Sequence, residues 1–453
     1  MKNVLLVFNV KKFALRIILL FSLFSILIPL SKVNIVNAES TIYIRSDGSV
    51  EGTDKIQRDG NVYSFIGDIN GSIIVEKDNI VVDGAGYTLQ GIGSGVGLNL
   101  TARSNVTIKN IEIKAFHEGI SLASSSECNI SGNNITENTY YGIWLFMSSD
   151  NVIFGNNITN NYYGIKLWLS SNNAFCENNI THNGCGIWFA SIKNSSVSRN
   201  NVKNSFRGIH LEASSANIIS ANNIIGNSYG IQLERSPNNN VSINNIIGNS
   251  YGIHLKDSPN NNVSINNITS NQYGIVLSGP YAYSSGENIV YGNNITNNDF
   301  GIQVISPSNS IYYNNFINNT KQAYTEEYSF FGANYWSDYT GKDRNGDNIG
   351  DTPYGDYLDL IPLMRPWTLG WRPKPSVDQA LEEEIPFWMQ WWFWTIIAVV
   401  IVTLAGTVYL KKRKPSISNI SPPPTEDYSK HQSARQDCCF FQILLVLNPN
   451  FDR

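Results

Sequence analysis

Apolar residues in the middle of this chain recur with a fixed period, and each period contains the pair Gly-Ile. In the segment from Gly252 to Leu255, apolar residues alternate with a variable residue, which is typical of a short strand with one buried face. Six of the eight steps between successive glycines of this pair are 22 residues long. A fixed period of this length indicates a solenoid of stacked coils. The glycines are Gly119, Gly142, Gly164, Gly186, Gly208, Gly230, Gly252, Gly274 and Gly301.

The residues between these glycines predict two further short strands in each coil. Val241 and Ile246 represent two more apolar columns, separated by corners rich in Asn, Ser and Gly. These residue types, with many β-branched side chains, favour strands and turns over helix. One coil has a contour of about 70 Å, which is enough for three sides. Because parallel crossovers are almost always right-handed, we predict an all-β, right-handed parallel β-helix of about eleven coils, stacked about 4.8 Å apart.

A doubled asparagine stands at the same place in each coil, as in Asn244-Asn245. Alternation along the strand directs Ile246 and Asn244 inward and Asn245 outward. The inner column therefore predicts a ladder of buried amides that bond their copies in neighbouring coils, with the outer column more exposed. The inner members are Asn133, Asn156, Asn178, Asn200, Asn222, Asn244, Asn266, Asn293 and Asn314.

The outer column also carries Asn-x-Thr sequons, which are acceptors for glycosylation on an exported chain. The same sequons arise simply because Asn-Ile-Thr belongs to the repeat, and the sequence leaves both interpretations open. They occur at Asn134, Asn157, Asn179, Asn267 and Asn294, with further ones at Asn105, Asn240 and Asn262.

The two ends of the chain predict an exported protein with one membrane anchor. Residues 1–38 are basic and then apolar, which indicates a signal peptide, with an uncleaved anchor as the alternative. Residues 387–410 are uncharged and long enough to cross a bilayer as a C-terminal transmembrane helix. Tryptophans lie at its outer edge and four basic residues follow it. We therefore expect residues 411–453 to be a cytoplasmic tail and the β-helix to be extracellular.

Four segments lie between these ends. Residues 39–72 are expected to form an N-terminal β cap, 73–320 the repeats, 321–365 a C-terminal cap with an Asp-rich loop, and 366–386 a stiff acidic linker. The chain carries a net charge of −4, and because residues 1–38 contribute +5 and 411–453 contribute +3, residues 39–410 carry −12. This acidic exterior domain argues against nucleic acid as a partner.

The variable positions of the Gly-Ile-x-Leu strand are expected to face solvent, and several are large aromatic residues. Trp144 and Trp188 are two coils apart, about 10 Å, with Lys166 between them and Trp168 beside it. Large exposed apolar groups usually mark a binding site, and flat rings among polar groups suit pyranose sugars. These four residues therefore predict a carbohydrate-binding site, and the alternative is that a neighbouring loop covers the tryptophans.

Catalysis has weaker candidates on the same strand. Glu212 and Glu234 are one coil apart, about 5 Å, and lie near His210. Paired carboxylates at that distance could serve as acid and nucleophile of a retaining glycosidase, and a basic residue could serve a lyase. Columns of charge also arise as solvated sheet faces, so we assign no catalytic residue. His210 and His254 are two coils apart, too far to share one metal ion.

An Asp-rich segment after the repeats has the spacing that opens a calcium-binding loop. The glutamate usually found at position 12 is Tyr354 here, so Asp356 or Asp359 would have to complete the shell. We predict calcium as the cofactor, with no organic cofactor, against the alternative of a plain loop of Asx turns. The predicted ligands are Asp343, Asn345, Asp347 and Asp351.

The coil pattern, seen best in residues 236–255 (SPNNNVSINNIIGNSYGIHL), resembles the NosD-like β-helix family, which is grouped with carbohydrate-binding and sugar-hydrolase β-helices. The resemblance covers Ile73 to Asn319, and the flanking segments look like archaeal cell-surface members. It implies the fold and, through NosD itself, a role in copper delivery in a periplasm. Four methionines and five scattered histidines give no obvious copper site.

These observations favour a membrane-anchored cell-surface protein that binds glycans or envelope polymers or serves as a structural protein, and they lean against an enzyme. The alternatives are a polysaccharide lyase, hydrolase or epimerase and, second, a NosD-like copper-delivery accessory protein. Regular repeats favour binding, because an enzyme usually interrupts its repeats with loops that build a cleft. Here only residues 279–287 interrupt them.

Overall fold

A computed structural model describes residues 40–279, 285–356 and 358–371. The chain divides into two compact units. The first is Met1–Ser40, of which only Ser40 is described, and the second begins at Thr41. The predicted signal peptide, transmembrane helix, cytoplasmic tail and most of the linker lie outside the described residues. Within those residues the regular elements are all β-strands, and a search of them found no helix suited to crossing a membrane.

The strands form three sheets that run along a stack of about 12 coils, one sheet on each side of the coil. Sheet A, which contains the Gly-Ile strands, begins with Ser40–Ile44 and the antiparallel Val50–Glu51. It continues with Val96–Asn99, Glu118–Ala123, Tyr141–Phe146, Tyr163–Trp168, Cys185–Ala190, Arg207–Glu212, Tyr229–Glu234, Tyr251–Lys256, Tyr273–Ser278, Phe300–Val304 and Lys321–Thr325.

Sheet B begins with an antiparallel hairpin and is parallel afterwards. Its strands are Ile56–Asp59, Val62–Phe65, Ile80–Asp83, Val106–Lys109, Asn129–Ser131, Val152–Phe154, Ala174–Cys176, Ser196–Ser198, Ile218–Ser220, Asn240–Ser242, Asn262–Ser264, Ile289–Tyr291, Ser310–Tyr312 and Phe330–Gly332.

Sheet C contains the strands that follow the doubled asparagines, and it joins sheet A through the long strand Ile69–Val75. Its other strands are Thr88–Gln90, Glu112–Lys114, Asn134–Thr136, Asn157–Thr159, Asn179–Thr181, Asn201–Lys203, Asn223–Ile225, Asn245–Ile247, Asn267–Thr269, Asn294–Thr296, Asn315–Ile317 and Tyr335–Trp336.

Successive coils pair parallel and in register, which confirms the solenoid with three strands per coil. On sheet C, Asn223 pairs with Asn245 and Ile224 with Ile246. Like residues therefore stack on like residues, and the apolar columns fill the interior. Ile231, Leu233 and Ile246 are representative, and each is completely buried. Complete burial of such a side chain is worth about 1.5–3 kcal/mol relative to exposure.

The recurring glycine is required by close approach between coils rather than by an unusual backbone angle. A Cβ placed on Gly208 would lie 2.6 Å from the carbonyl oxygen of Gly230, and one on Gly230 would lie 2.6 Å from that of Gly252. No real Cβ tolerates such a distance to a main-chain atom. The glycine column therefore sets how closely the Gly-Ile strands can stack.

The predicted inner asparagine ladder is confirmed. Asn222 is 1 % exposed, and its Oδ1 accepts from the main-chain N and the Nδ2 of Asn200 at 2.9 and 3.0 Å. Its own Nδ2 donates to Asn244 Oδ1 at 3.0 Å. The outer residues Asn201 and Asn223 are half-buried, as expected, and they also bond each other, with Nδ2 to Oδ1 at 3.0 Å.

Two further buried amide columns lie at the other corners, and the sequence analysis did not predict them. Asn249, three residues before Gly252, bonds Asn271 in the next coil at 3.0 Å. Asn239, just before the sheet B strand, bonds Asn261 at 3.2 Å. The signal was present in the sequence, because both asparagines recur at fixed distances from the Gly-Ile pair. All three corners of the coil are thus closed by side-chain amides, which satisfy buried main-chain groups.

Candidate functional site

The outward side chains of sheet A form the most distinctive surface of the described residues. We call the aromatic surface the group Tyr141, Trp144, Phe146, Tyr163, Lys166, Trp168 and Trp188. The strand register places Trp144, Lys166 and Trp188 in one column on three successive coils, and Trp168 follows Phe146 in the adjacent column. The structure therefore brings together all four residues that the sequence predicted for carbohydrate binding.

The rings of this surface contact one another across and along the strands. Tyr141 stacks on Trp144 with centroids 4.8 Å apart, and Tyr163 lies 5.0 Å from Trp188. Phe146 lies 5.4 Å from Trp168. Aromatic pairs at these separations add about 0.5–1.5 kcal/mol beyond the area they bury. The surface is therefore held by contacts among its own rings.

Lys166 lies at the centre of the aromatic surface. Its Nζ is 4.0 Å from the centroid of Trp188 and 4.8 Å from that of Tyr163. It is also 5.6 Å from the Trp144 ring. These are cation–π distances. Burial among the rings lowers the pKa of Lys166 from its ordinary value.

We expected the side chains of the whole variable column of sheet A to face solvent. This expectation was wrong. Trp168 is 47 % exposed, but Trp144, Lys166 and Trp188 are half-buried and His210 is only 3 % exposed. The neighbouring rings and long side chains of sheet A close over the column, so no loop is needed to cover it. Trp168 stays open because its neighbour in the next coil is Ala190.

The two carboxylates considered for catalysis lie opposite each other on adjacent coils, as predicted. Arg235 contacts both, at 2.6 Å from Glu212 and 3.0 Å from Glu234. Burial alone would raise the pKa of Glu234, but the hydrogen bond and charge of Lys256 and the charge of Arg235 outweigh it and lower the pKa. A catalytic acid needs the opposite shift. Glu212 and Glu234 therefore belong to an ion-pair network with Arg235 and Lys256.

His210 occupies the next position of the column after Trp188 and stacks on it, with centroids 5.5 Å apart. Neither of its ring nitrogens has a hydrogen-bond partner, and the indole Nε1 of Trp188 is also buried without one. Burial, together with the charge of Arg207, lowers the pKa of His210 to about 4. His210 is therefore neutral at physiological pH.

The Asp-rich loop is folded by hydrogen bonds to its own main chain. Asp343 accepts from the amides of Gly346 and Asn348 at 2.7 and 2.9 Å, and Asp347 accepts from Ile349 at 2.8 Å. Asp351 accepts from the amide of Arg344 at 3.1 Å. Among the described residues no group of three or more His, Cys, Asp or Glu side chains is arranged to hold a metal ion.

The suggestion that Asp359 completes a calcium shell was wrong. Asp359 is fully buried, and its Oδ2 accepts from Asn334 Nδ2 at 3.2 Å and from Trp336 Nε1 at 3.0 Å. Through these hydrogen bonds the Asp359 carboxylate caps the end of the inner asparagine ladder, so it does not face the Asp-rich loop as a calcium ligand. Sequence spacing alone did not reveal that the chain folds back beneath the last coil.

Two protein-family models match this chain. The model described as "Right handed beta helix region" matches residues 28–180 and 94–233, and the one described as "Periplasmic copper-binding protein (NosD)" matches residues 193–355. The chain is 37 % identical over 81 residues to "Probable ABC transporter binding protein NosD" of Stutzerimonas stutzeri. That alignment covers 16 % of this chain and 19 % of the relative.

Solved structures with similar folds include the Dettilon tailspike protein, with a TM-score of 0.49, 15 % identity and coverage of 56 % of this chain and 62 % of that one. The A-module of the mannuronan C-5 epimerase AlgE4 of Azotobacter vinelandii has a TM-score of 0.45, 15 % identity and coverage of 60 % and 89 %. The periplasmic alginate epimerase AlgG has a TM-score of 0.40, 18 % identity and coverage of 64 % and 83 %. At these scores the likenesses bear on neither activity nor ligand.

The repeats and the parallel register show a parallel β-solenoid, and the family model that matches residues 28–233 is described as right-handed. Together the two family models match residues 28–355, and over this range the chain is similar to proteins of the NosD-like right-handed β-helix family.

Proposed function

We propose that this protein binds glycans at the cell exterior through the aromatic surface of sheet A. The observation that supports this is the exposed ring of Trp168, which packs against Phe146 and lies two residues from the half-buried Lys166 on the same strand. Large exposed aromatic groups on a rigid sheet are costly unless they contact a ligand. A pyranose ring offers C–H groups for stacking on the ring and hydroxyl groups for the lysine.

The spacing of the coils also suits a polymer. Successive coils are about 4.8 Å apart, which is close to the length of one sugar ring in a polysaccharide. A glycan chain lying along the solenoid axis would therefore meet one coil with each sugar. Trp144, Lys166 and Trp188 lie on three successive coils.

An activity on polysaccharides is the alternative, and the local chemistry supports it less well. Arg235 and Lys256 neutralise Glu212 and Glu234, and these contacts favour the charged form of Glu234. The aromatic surface as defined above contains no carboxylate. Analysis of reaction products on any glycan that binds would reveal an activity, and unchanged glycan would leave binding as the function.

The exterior location is part of the proposal. It is supported by the basic and apolar residues 1–38 and by the uncharged segment 387–410 with its flanking tryptophans and lysines. Protease treatment of intact cells that express the full chain would test it. Digestion of the β-helix with survival of an epitope at the C-terminus would support the topology.

A role with copper is a second candidate, because the NosD family model covers residues 193–355. Titration of the full chain with Cu⁺ and Cu²⁺, followed by calorimetry, would test it. Because the two histidines are too far apart to share one ion, loss of a bound ion in His210→Gln alone or in His254→Gln alone would support a copper site at that histidine.

The central test of glycan binding is a glycan array probed with the full-length protein, followed by Trp168→Ala. Loss of one well-packed aromatic contact would weaken binding about tenfold or more. Tyr328→Ala is the matched control, since Tyr328 is 84 % exposed but lies at the far end of the repeats. Equal binding by both variants and the parent protein would exclude the aromatic surface as the site.

A further inference from the structure

We propose that the glycan held by the aromatic surface is acidic, and that Lys166 and Arg207 bind its carboxylate groups. The inference rests on the proposed function, because it specifies the charge of the ligand at that same surface. Both cations lie on sheet A, where Lys166 pairs with Trp188 and Arg207 pairs with Cys185, three residues before Trp188 on the same strand.

The first observation is that these two cations lack an anionic partner. Lys166 contacts only aromatic rings, at 4.0 to 5.6 Å from its Nζ. Arg207 donates its Nε to Gln232 Oε1 at 2.9 Å, and its guanidinium lies 5.1 Å from the centroid of Phe206. Neither forms a salt bridge with the described residues. Half-buried cations that have lost water without gaining an anion are poised to bind one.

The second observation is the balance of charge around them. Glu212 and Glu234 are already paired with Arg235 and Lys256. The sheet A strands from Tyr163 to Lys256, counted with the residue that follows each strand, hold four cations against three carboxylates. This local positive excess lies in a segment, residues 39–410, whose net charge is −12. A positive patch on an acidic domain is a specific feature and favours an anionic ligand.

The third observation is a set of buried polar atoms that have no partner at the same place. Trp188 Nε1 and both ring nitrogens of His210 are buried without a hydrogen bond. Buried polar groups are nearly always hydrogen-bonded in folded proteins. The unpaired atoms of Trp188 and His210 therefore mark an unusual place on sheet A. Trp188 lies one coil from Lys166 and one coil from the Arg207 strand. These atoms lie beneath the surface between the two cations, and His210 Nε2 is also 3.9 Å from Glu234 Oε2.

The distances fit a polymer rather than a single small acid. Lys166 and Arg207 are two coils apart, about 10 Å along the solenoid axis, and their positions differ by three residues along the strand direction, about another 10 Å. A single carboxylate cannot contact both at that separation. Carboxylates about two to three sugar rings apart along one chain can, if the chain crosses the coils obliquely over the strand Cys185–Ala190. The ligand class is therefore a polyuronate or another polysaccharide with regularly spaced carboxylates.

The test compares two polymers that differ only in charge. Binding of the full-length protein to polygalacturonate and to its fully methyl-esterified form would be measured by calorimetry. We expect the acid form to bind at least about tenfold more tightly, and Lys166→Met or Arg207→Met to remove about tenfold of that preference each. Lys193→Met is the matched control, because Lys193 is exposed and lies outside sheet A. Poly-glutamate and dextran sulfate are included as a polyanion without sugar rings and a sulfated glycan.

Each outcome decides the inference. A preference for the acid polymer that is lost in both variants, kept in Lys193→Met and absent with poly-glutamate supports it. Equal binding of the acid and ester forms overturns it but leaves glycan binding intact. Equal or tighter binding of poly-glutamate or dextran sulfate also overturns the carboxylate-glycan assignment. Failure to bind any glycan here and on the array would overturn the proposed function itself.

Discussion

Asp359 accepts two hydrogen bonds from Asn334, at 2.9 Å from its main-chain N and 3.2 Å from its Nδ2, in the buried interior. Asn334 is the last amide of the inner ladder and receives the Nδ2 hydrogen bond of Asn314 at 3.1 Å. Each Nδ2 of this ladder before Asn334 donates one hydrogen bond to the Oδ1 of the next coil toward the C-terminal end, and another to a main-chain carbonyl of the preceding coil, as in Asn222 and Asn314. The aligned amides therefore present their positive ends to Asp359, as a helix N-terminus presents its amides to an anion. Asp359 closes the ladder.

Replacement of Asp359 should destabilise the last coils. Asp359→Leu leaves the donors of Asn334 and Trp336 buried without an acceptor, which we expect to cost about 3 kcal/mol or more. Asp359→Asn keeps one acceptor and should cost less. The loss would be measured as faster amide hydrogen exchange around Asn334. Asp356→Leu is the control, because Asp356 is exposed; equal effects of the two leucine variants would contradict the ladder-closing role.

The two members of an asparagine pair should differ sharply in their contribution to stability. Asn222→Ala leaves the buried amide groups of Asn200 without their acceptor, and we expect it to lower the free energy of unfolding by about 2–4 kcal/mol. Asn223→Ala removes only half-buried contacts and should cost under about 1 kcal/mol. Urea unfolding of the two variants checks this. Similar losses of unfolding free energy in the two variants would contradict a larger contribution of the inner ladder to stability.

The glycine column should not tolerate a methyl group. Gly230→Ala places a Cβ 2.6 Å from the carbonyl oxygen of Gly252, so the coils must separate and we expect a loss of about 3 kcal/mol or more. Gly248→Asn is the control. Gly248 has a φ of 64° and open space around it, and Asn204 holds the equivalent position two coils earlier with a φ of 52°. A Gly230→Ala variant as stable as Gly248→Asn would contradict the close approach.

Stability should fall in mild acid because of His210. Its pKa in the folded protein is lowered to about 4, mainly by burial, whereas an unfolded histidine has a pKa of about 6.5. Between these values the unfolded state binds a proton that the folded state does not. The contribution is therefore fully present above pH ~6.5 and is lost as the pH falls toward ~4, by up to about 3 kcal/mol.

The variant His210→Gln isolates that effect, since glutamine occupies the same column at Gln232. Thermal unfolding of both proteins between pH ~7 and ~4 should show a smaller decline for His210→Gln. Parallel curves would mean that other groups, such as His254, whose pKa burial also lowers to about 4, dominate the acid sensitivity.

Calcium binding by the Asp-rich loop stays a prediction. Asp343, Asn345, Asp347 and Asp351 supply oxygen atoms within nine residues, and a cation would reduce their mutual repulsion. Binding only to the folded state would raise the melting temperature by mass action. A chelator should therefore lower the melting temperature of the full chain, and Asp347→Ala should remove that sensitivity. An unchanged melting curve would identify the loop as a set of Asx turns.

The coil itself could be derived from the sequence, because it repeats. A single residue such as Ile246 or Asn244 is ambiguous, but its copies at a constant spacing fix the strand alternation and the stacking partner together. The inner ladder, its register and the placement of Lys166 between Trp144 and Trp188 all follow from that spacing. The missed ladders through Asn239 and Asn249 carried the same signal.

Only the tertiary structure decided what the repeat does not encode. Trp168 and His210 both point outward from sheet A, yet one is 47 % and the other 3 % exposed. The difference comes from the size of neighbouring side chains on other coils, since Trp168 has Ala190 beside it whereas His210 stacks on Trp188. Asp359 reaches Asn334 through a non-repeating segment, where no period indicates the partner. Periodicity determined the scaffold, and packing between unlike residues determined which of its side chains a ligand can reach.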